Sequence, residues 1–502
     1  MSASKHSREL RGLALSVLQP GFVGTEAPEW VLRAIADGLS SVVLFSRNIA
    51  SPEQVARLTA QLRAENPELI VAIDEEAGDV TRIESATGST RPGNFALGAV
   101  DDTELTAEVA RDLARQLHAV GVTLDYAPSV DVNSNPDNPI IGVRSFGVEP
   151  DRVARHAAAW VSGLQSGGVA ACAKHFPGHG DVAVDSHHGL PSYDADLDTI
   201  AQQALPPFKA ALAAGVRAVM SGHLLVPAYD PDVPATLSSR VLGGLLRKEL
   251  GFDGLIVTDA IEMGAVTGRY GIEGATVRAV AAGADAVCVG GESAGEDTTQ
   301  DLADALVEAV GSGALTEARL AEASRRVKEF AGWSTRLAGS VPVDPVGRDI
   351  GYVAARRAVR VSGAEGVLPL AAAPHVVELV PSTNLAIAKE TPWGVAAPLR
   401  ERLPGTTFVR VTHRQLADEP SVLTAHALAP AADRPLVVVV RDAARNRWMG
   451  GALATLTADR PDAIVVEMGL PEDSGAGALR IFTHGATAAS GVAAAELLAG
   501  SR

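Results

Sequence analysis

The chain has little sulfur, few aromatics and no excess of positive charge. Only Cys172 and Cys288 are present, each inside an apolar run, so the sequence reads as buried reduced thiols rather than a disulfide framework or a redox pair. Aromatic residues make up 4% of 502 residues, while glycine and alanine are abundant, a composition suited to helices packed closely on a sheet. The formal charge of -17 argues against a nucleic-acid or anionic-membrane partner, because either would demand clustered Lys and Arg. No apolar run is long enough to span a bilayer, and the first residues lack a signal-peptide core. A soluble, cytoplasmic protein is expected.

What is present is a repeated theme. Short apolar runs at 13–18, 42–45, 69–73, 122–126, 169–173, 218–220, 255–257 and 286–289 are each followed by a polar or glycine-rich turn and a helical segment. Continuous apolarity, as opposed to alternation, marks strands buried on both faces, as in parallel sheets. Helix signals lie between them. Ser51-Pro52-Glu53-Gln54 combines a capping serine, proline at the first helical position and Gln three residues after the cap, ahead of Val55, Leu58 and Leu62 on one face. The span 101–120 repeats the pattern with Leu105, Val109, Leu113 and Leu117.

Eight strand–helix units in succession predict an α/β fold with a (β/α)8 TIM barrel over residues 1–335. Residues 336–348 lose periodicity and carry Gly and Pro, which predicts a linker. The remainder, 349–502, has apolar runs at 376–380, 436–440 and 464–468 and predicts a smaller C-terminal α/β sandwich. Its charged cluster of Arg441, Asp442, Arg445 and Arg447 reads as surface or interface charge.

In such a barrel the reactive groups sit at the carboxyl ends of the strands. The third run ends at Asp74-Glu75-Glu76, the fourth leads to Asp131 and a loop reaching Arg144, and the fifth ends at Lys174-His175. The sixth ends at Ser221-Gly222-His223 and the seventh at Asp259. A lone Asp74 or Asp259 could equally cap a helix, but five polar strand ends together point to a site. The densest is 174–191, which holds four histidines, two aspartates and a lysine.

The pattern Lys174-His175-Phe176-Pro177-Gly178-His179-Gly180, then Asp185-Ser186-His187 and Pro191, resembles the signature of β-N-acetylglucosaminidases of glycoside hydrolase family 3. Supporting matches are 74–82, 138–147 and 257–263, so the resemblance spans the barrel. It implies that Asp259 is the nucleophile of a retaining hydrolase. It further implies that His187, held by Asp185, is the acid/base, the branch with a His-Asp dyad. Imidazole titrates near neutrality and a neighbouring carboxylate fixes its tautomer, so one ring can donate and then accept a proton.

The resemblance also assigns sugar binding to Asp74, Arg82, Arg144, Lys174 and His175. His223 is a sugar ligand or a structural hydrogen bonder, and His179 and His188 are loop-packing residues. One departure stands out: where the family has Glu-Gly-Gly and then a basic or polar residue, this chain has Glu76-Ala77-Gly78-Asp79.

The expected substrate is a carbohydrate, a terminal N-acetylglucosamine of muropeptides or chitooligosaccharides, with no metal or organic cofactor implied. Three alternatives stay open. A phosphorylase would use the same residues, since a neutral histidine would not repel phosphate. A zinc site could use His175, His179, Asp181, Asp185 and His187. A sugar-binding protein without turnover would keep the pocket alone.

Overall fold

The computed structural model describes residues 2–186, 189–291, 293, 295–342, 349–381, 391–472 and 475–500. The chain divides into two compact units. The first comprises Met1–Glu76, Thr103–Ile141 and Gly147–Gly347; the second comprises Ala77–Asp102, Gly142–Phe146 and Arg348–Arg502. Two segments that precede the expected linker therefore belong to the second unit.

In the first unit every predicted run contains or adjoins a strand. These are β1 (Leu18–Pro20), β2 (Ser41–Leu44), β3 (Ile70–Ile73), β4 (Leu124–Asp125), β5 (Ala170–Phe176), β6 (Ala218–Ser221), β7 (Leu255–Thr258) and β8 (Val287–Val289). Strands β2 to β7 form one parallel sheet in chain order, and β1 pairs with β8, also in parallel. The first run differs from expectation: residues 13–16 finish the helix Ser2–Ser16, and the strand begins only at Leu18.

Because side chains alternate across a strand, every second residue points to a shared interior. Val43, Ile70, Leu124, Ala170, Ala218, Leu255 and Cys288, from seven strands, meet in one buried cluster. Further hydrogen bonds tie the strands together. Ser41 Oγ donates to the Leu18 carbonyl at 3.1 Å, Val257 bridges to Ala286, and Tyr126 Oη donates to Gln19 Oε1 at 2.5 Å.

The helix Pro52–Glu65 starts as its sequence requires: Ser51 Oγ accepts from Gln54 N at 3.2 Å, and Val55, Leu58 and Leu62 are buried. The helix Thr103–Ala119 likewise buries Leu105, Val109, Leu113 and Leu117. The expected linker begins later than its composition suggests, since the helix Glu317–Gly339 continues through Arg336 to Gly339. Gly and Pro after that point, not before it, end the periodicity.

The second unit holds a six-stranded sheet: β9 (Arg360–Gly363), β10 (His375–Val380), β11 (Thr407–Thr412), β12 (Leu436–Val440), β13 (Ile464–Glu467) and β14 (Leu479–Phe482). The order is β11-β10-β12-β13-β14-β9, with β9 antiparallel to its neighbour and the rest parallel. Both faces are covered. Leu436, Val438 and Val440 enter one apolar cluster, whereas Val437 and Val439 enter another. Such a doubly covered sheet is an α/β sandwich.

Candidate active site

Strand β5 runs through its own motif, so Lys174 and His175 belong to the last residues of a strand and are buried. Burying an ammonium is costly unless it is paired. Lys174 Nζ lies between two carboxylates at the end of β3, contacting Asp74 Oδ1 and sitting 2.6 Å from Glu76 Oε1. Asp74 is the more accessible of the two, with 23% of its side chain exposed against 3% for Glu76. Sequence reasoning gave Glu76 no partner; the signal it missed is that a buried lysine at a strand end needs more than one.

The next layer is organised by Asp131, in the loop after β4. Its carboxylate is fully buried and lies 2.7 Å from His175 Nδ1. The same carboxylate accepts from the backbone amides of His175 at 3.2 Å and His179 at 2.7 Å, and from Ser129 Oγ at 3.0 Å. Burial alone would raise this carboxyl, but the charge and hydrogen bonds of His175, with help from His179, hold it below the usual carboxylate range.

His179 is buried and packs edge-on to the His175 ring, with centroids 5.9 Å apart. Among the described residues neither of its ring nitrogens has a hydrogen-bond partner. Burial, reinforced by His175, pushes it down to about 4, so the ring is neutral near pH 7. Loop packing is consistent with this environment. The preceding loop braces it: Asn138 Nδ2 donates to the His179 carbonyl at 2.8 Å. Beside it Gly180 passes so near Val132 that an added Cβ would stand 1.7 Å from the Val132 carbonyl oxygen, so a side chain there is excluded.

Asp259 lies immediately after β7 and is half-buried. Its Oδ1 accepts from Ala260 N at 2.8 Å, and its own amide donates to the Ser221 carbonyl at 3.0 Å, which ties the β6 and β7 ends together. His223 is fully buried, and its Nε2 donates to the Ala260 carbonyl at 3.0 Å. That is the structural hydrogen bond left open by the sequence, and it braces the residue next to Asp259. Glu262 completes the loop by accepting from Gly290 N at 2.9 Å and Gly291 N at 2.5 Å.

Asp185 is half-buried, and its carbonyl accepts from Gly189 N at 3.1 Å. The carbonyl of Ser186 accepts from Ala265 N at 3.2 Å, six residues past Asp259. Ser186 is thus tied to the first turn of the helix Gly264–Ala282, which follows the Asp259 loop. His187 and His188 lie outside the described residues.

Arg82 and Arg144 belong to the second unit, where both are buried and the Arg144 carbonyl accepts from Asn94 Nδ2 at 2.7 Å. The departure at 77–79 is accommodated there. Ala77 adopts φ +55° and Gly78 φ +66°, in a turn where Ala77 bridges to Val80. Asp79 is buried, pairs with Arg441, and accepts from Ala486 N at 2.8 Å. Arg441 is therefore not a surface charge: it is 7% exposed and occupied by a carboxylate from the 77–102 segment.

The strand ends of the parallel α/β scaffold thus gather carboxylates, a lysine and histidines. The family described as "Glycosyl hydrolase family 3 N terminal domain" matches residues 23–330. Among relatives, beta-hexosaminidase A of Pseudoalteromonas piscicida is 32% identical over 373 residues, covering 68% of this chain and 62% of its own length. The beta-hexosaminidase of Chromobacterium violaceum is 39% identical over 277 residues, or 54% of this chain and 76% of its own. Among solved structures, the glycoside hydrolase family 3 beta-N-acetylglucosaminidase of Paenibacillus sp. str. FPU-7 superposes with a TM-score of 0.85 at 32% identity, covering 98% of this chain and 96% of that one. The chain belongs to glycoside hydrolase family 3 and is a glycosidase. This chain spans about three fifths of the length of the Pseudoalteromonas relative. Among the described residues no helix is long and apolar enough to cross a membrane.

Proposed function

We propose that this glycosidase is a retaining exo-β-N-acetylglucosaminidase that removes terminal non-reducing N-acetylglucosamine. In this reading the eight parallel strands close into a (β/α)8 barrel and the site occupies their carboxyl ends. Asp74, Arg82, Arg144, Lys174 and His175 bind sugar hydroxyls, and His223 supports the Asp259 loop.

Asp259 attacks the anomeric carbon as its carboxylate while protonated His187 gives its proton to the leaving oxygen, which releases the aglycone and leaves a glycosyl ester. The now neutral His187 takes a proton from water, the water oxygen attacks the anomeric carbon, and Asp259 leaves as carboxylate. Two displacements return the original configuration. Asp185 holds the imidazole in one tautomer and stabilises its cationic form.

The observation that supports this reading is the Ser186–Ala265 hydrogen bond, which ties the residue before His187 to the first turn of the helix Gly264–Ala282, the helix that follows the Asp259 loop. A nucleophile and a proton carrier must flank the same bond, roughly 5 Å apart, for retention. The similarity to hexosaminidases and to a beta-N-acetylglucosaminidase supports the choice of sugar. Buried, unpaired Cys172 and Cys288 suit the reducing cytoplasm, where muropeptides or chitooligosaccharides would be the substrates.

The test is turnover of a chromogenic β-N-acetylglucosaminide with and without phosphate. Free N-acetylglucosamine at a rate indifferent to phosphate supports the hydrolase. A sugar 1-phosphate would replace it with a phosphorylase acting through the same residues.

A further inference from the structure

Asp131 has no role in the two displacements at Asp259, yet its carboxylate is used several times over in the strand-end layer. It is fully buried, at 0% exposure, and takes hydrogen bonds from a hydroxyl, two backbone amides and one ring nitrogen. A carboxylate can only accept. The hydrogen between it and His175 must therefore reside on Nδ1, 2.7 Å away.

A neutral imidazole with its proton on Nδ1 has Nε2 as its acceptor. The two backbone bonds, to residues 175 and 179, fix the strand end from which the ring projects. Ring torsion, tautomer and main chain are thus set by one side chain from the loop after β4. Among the described residues, the titratable groups against this ring include Asp131 from the loop after β4 and His179 from the loop after its own strand.

We propose that Asp131 is a positioning residue for sugar binding: it locks the orientation and tautomer of His175, and through His175 it sets affinity for the N-acetylglucosaminide. The proposal rests on His175 being a sugar ligand.

Asp131→Asn is the informative change. Asparagine keeps the shape and can still accept from the backbone amides through its carbonyl oxygen, but an amide NH2 facing Nδ1 forces that nitrogen to accept. The His175 proton then moves to Nε2, the reverse tautomer. In 15N-histidine-labelled protein, with His175 assigned by its loss in His175→Ala, the parent is expected to show a protonated Nδ1 and Asp131→Asn a protonated Nε2. The variant is expected to raise KM for a chromogenic N-acetylglucosaminide roughly tenfold, the scale of one lost hydrogen bond, with a smaller change in kcat. Because Asp131 acts through His175, Asp131→Asn added to His175→Ala should cost nothing more.

Losses that multiply in the double variant, or an unchanged KM with an unchanged tautomer, would overturn the proposal. An unchanged KM in His175→Ala would instead remove the sugar-ligand role of His175, while the spectra still decide whether Asp131 sets its tautomer. If Asp131→Asn does not fold, the parent spectrum suffices: an Nδ1 without a proton in the neutral ring is incompatible with the proposal.

Discussion

Asp79 and Arg441, 362 residues apart in the chain, form a buried ion pair within the second unit, and the second Asp79 oxygen takes the Ala486 amide. Burial pushes the Asp79 carboxyl up, against the pull of Arg441 and that amide. The pair fastens the 77–102 segment, which carries Arg82, to the C-terminal sheet. Removing one member leaves the other charge buried and unpaired, at a cost of about 3–5 kcal/mol. Arg441→Ala is expected to lower the denaturation midpoint strongly, whereas Arg445→Ala is not; equal small effects in urea unfolding would contradict the assignment.

Ala77 is expected to be improved by glycine. At φ +55° an L-residue carries a strain of roughly 1–2 kcal/mol that glycine does not. Ala77→Gly should therefore stabilise by about 0.5–1 kcal/mol after the entropy cost of a new glycine in the unfolded chain is taken off. Gly78→Ala should do the opposite, because its Cβ would fall 2.4 Å from Gly93 Cα. Calorimetric midpoints of the two variants check both signs.

The fold was legible where burial is uniform. Strands covered on both faces wrote continuous apolar runs, which is why β2, β3, β6 and β7 lie where the sequence puts them. In the second unit β10, β12 and β13 were legible for the same reason. Strands β9 and β11 are the sheet edges and are largely exposed, so no apolar run marks them. The transfer of 77–102 and 142–146 to the second unit depends on contacts with residues hundreds of positions away, such as Gly351 packed against the Thr90 carbonyl. No local pattern encodes that. In the site, Lys174, His175 and Asp259 announced themselves as charged groups at strand ends. Asp131 did so too, but its use is defined only by the geometry of His175.

Acid should destabilise the protein through His179. Its folded value of about 4 lies below the ordinary 6.5, so the unfolded chain binds the proton more tightly. The neutral ring's contribution is complete above about pH 6.5, declines as pH falls below that, and is fully lost below about pH 4. A shift of this size in a buried group is on the order of 3 kcal/mol. Buried His484, also pushed down to about 4, should add a second loss in the same window. Thermal midpoints measured from pH 7.5 to pH 4 should fall, and less steeply in His179→Phe; parallel slopes would refute this source.

The acid/base assignment predicts a leaving-group dependence. His187→Ala should slow substrates with poor leaving groups by roughly 10²–10⁴-fold, the usual worth of a general acid, and activated aryl glycosides far less. Equal losses in kcat/KM on both substrate classes would move the proton carrier elsewhere.

A covalent bond between Asp259 and the sugar is the step on which the proposed chemistry depends, and mass spectrometry of the trapped intermediate detects it. Incubation with a slow-turnover fluorinated N-acetylglucosaminide, followed by proteolysis, should give one labelled peptide with the sugar esterified to Asp259, absent from Asp259→Ala. A label on another carboxylate, or turnover with inversion and no labelled peptide, would contradict this role for Asp259.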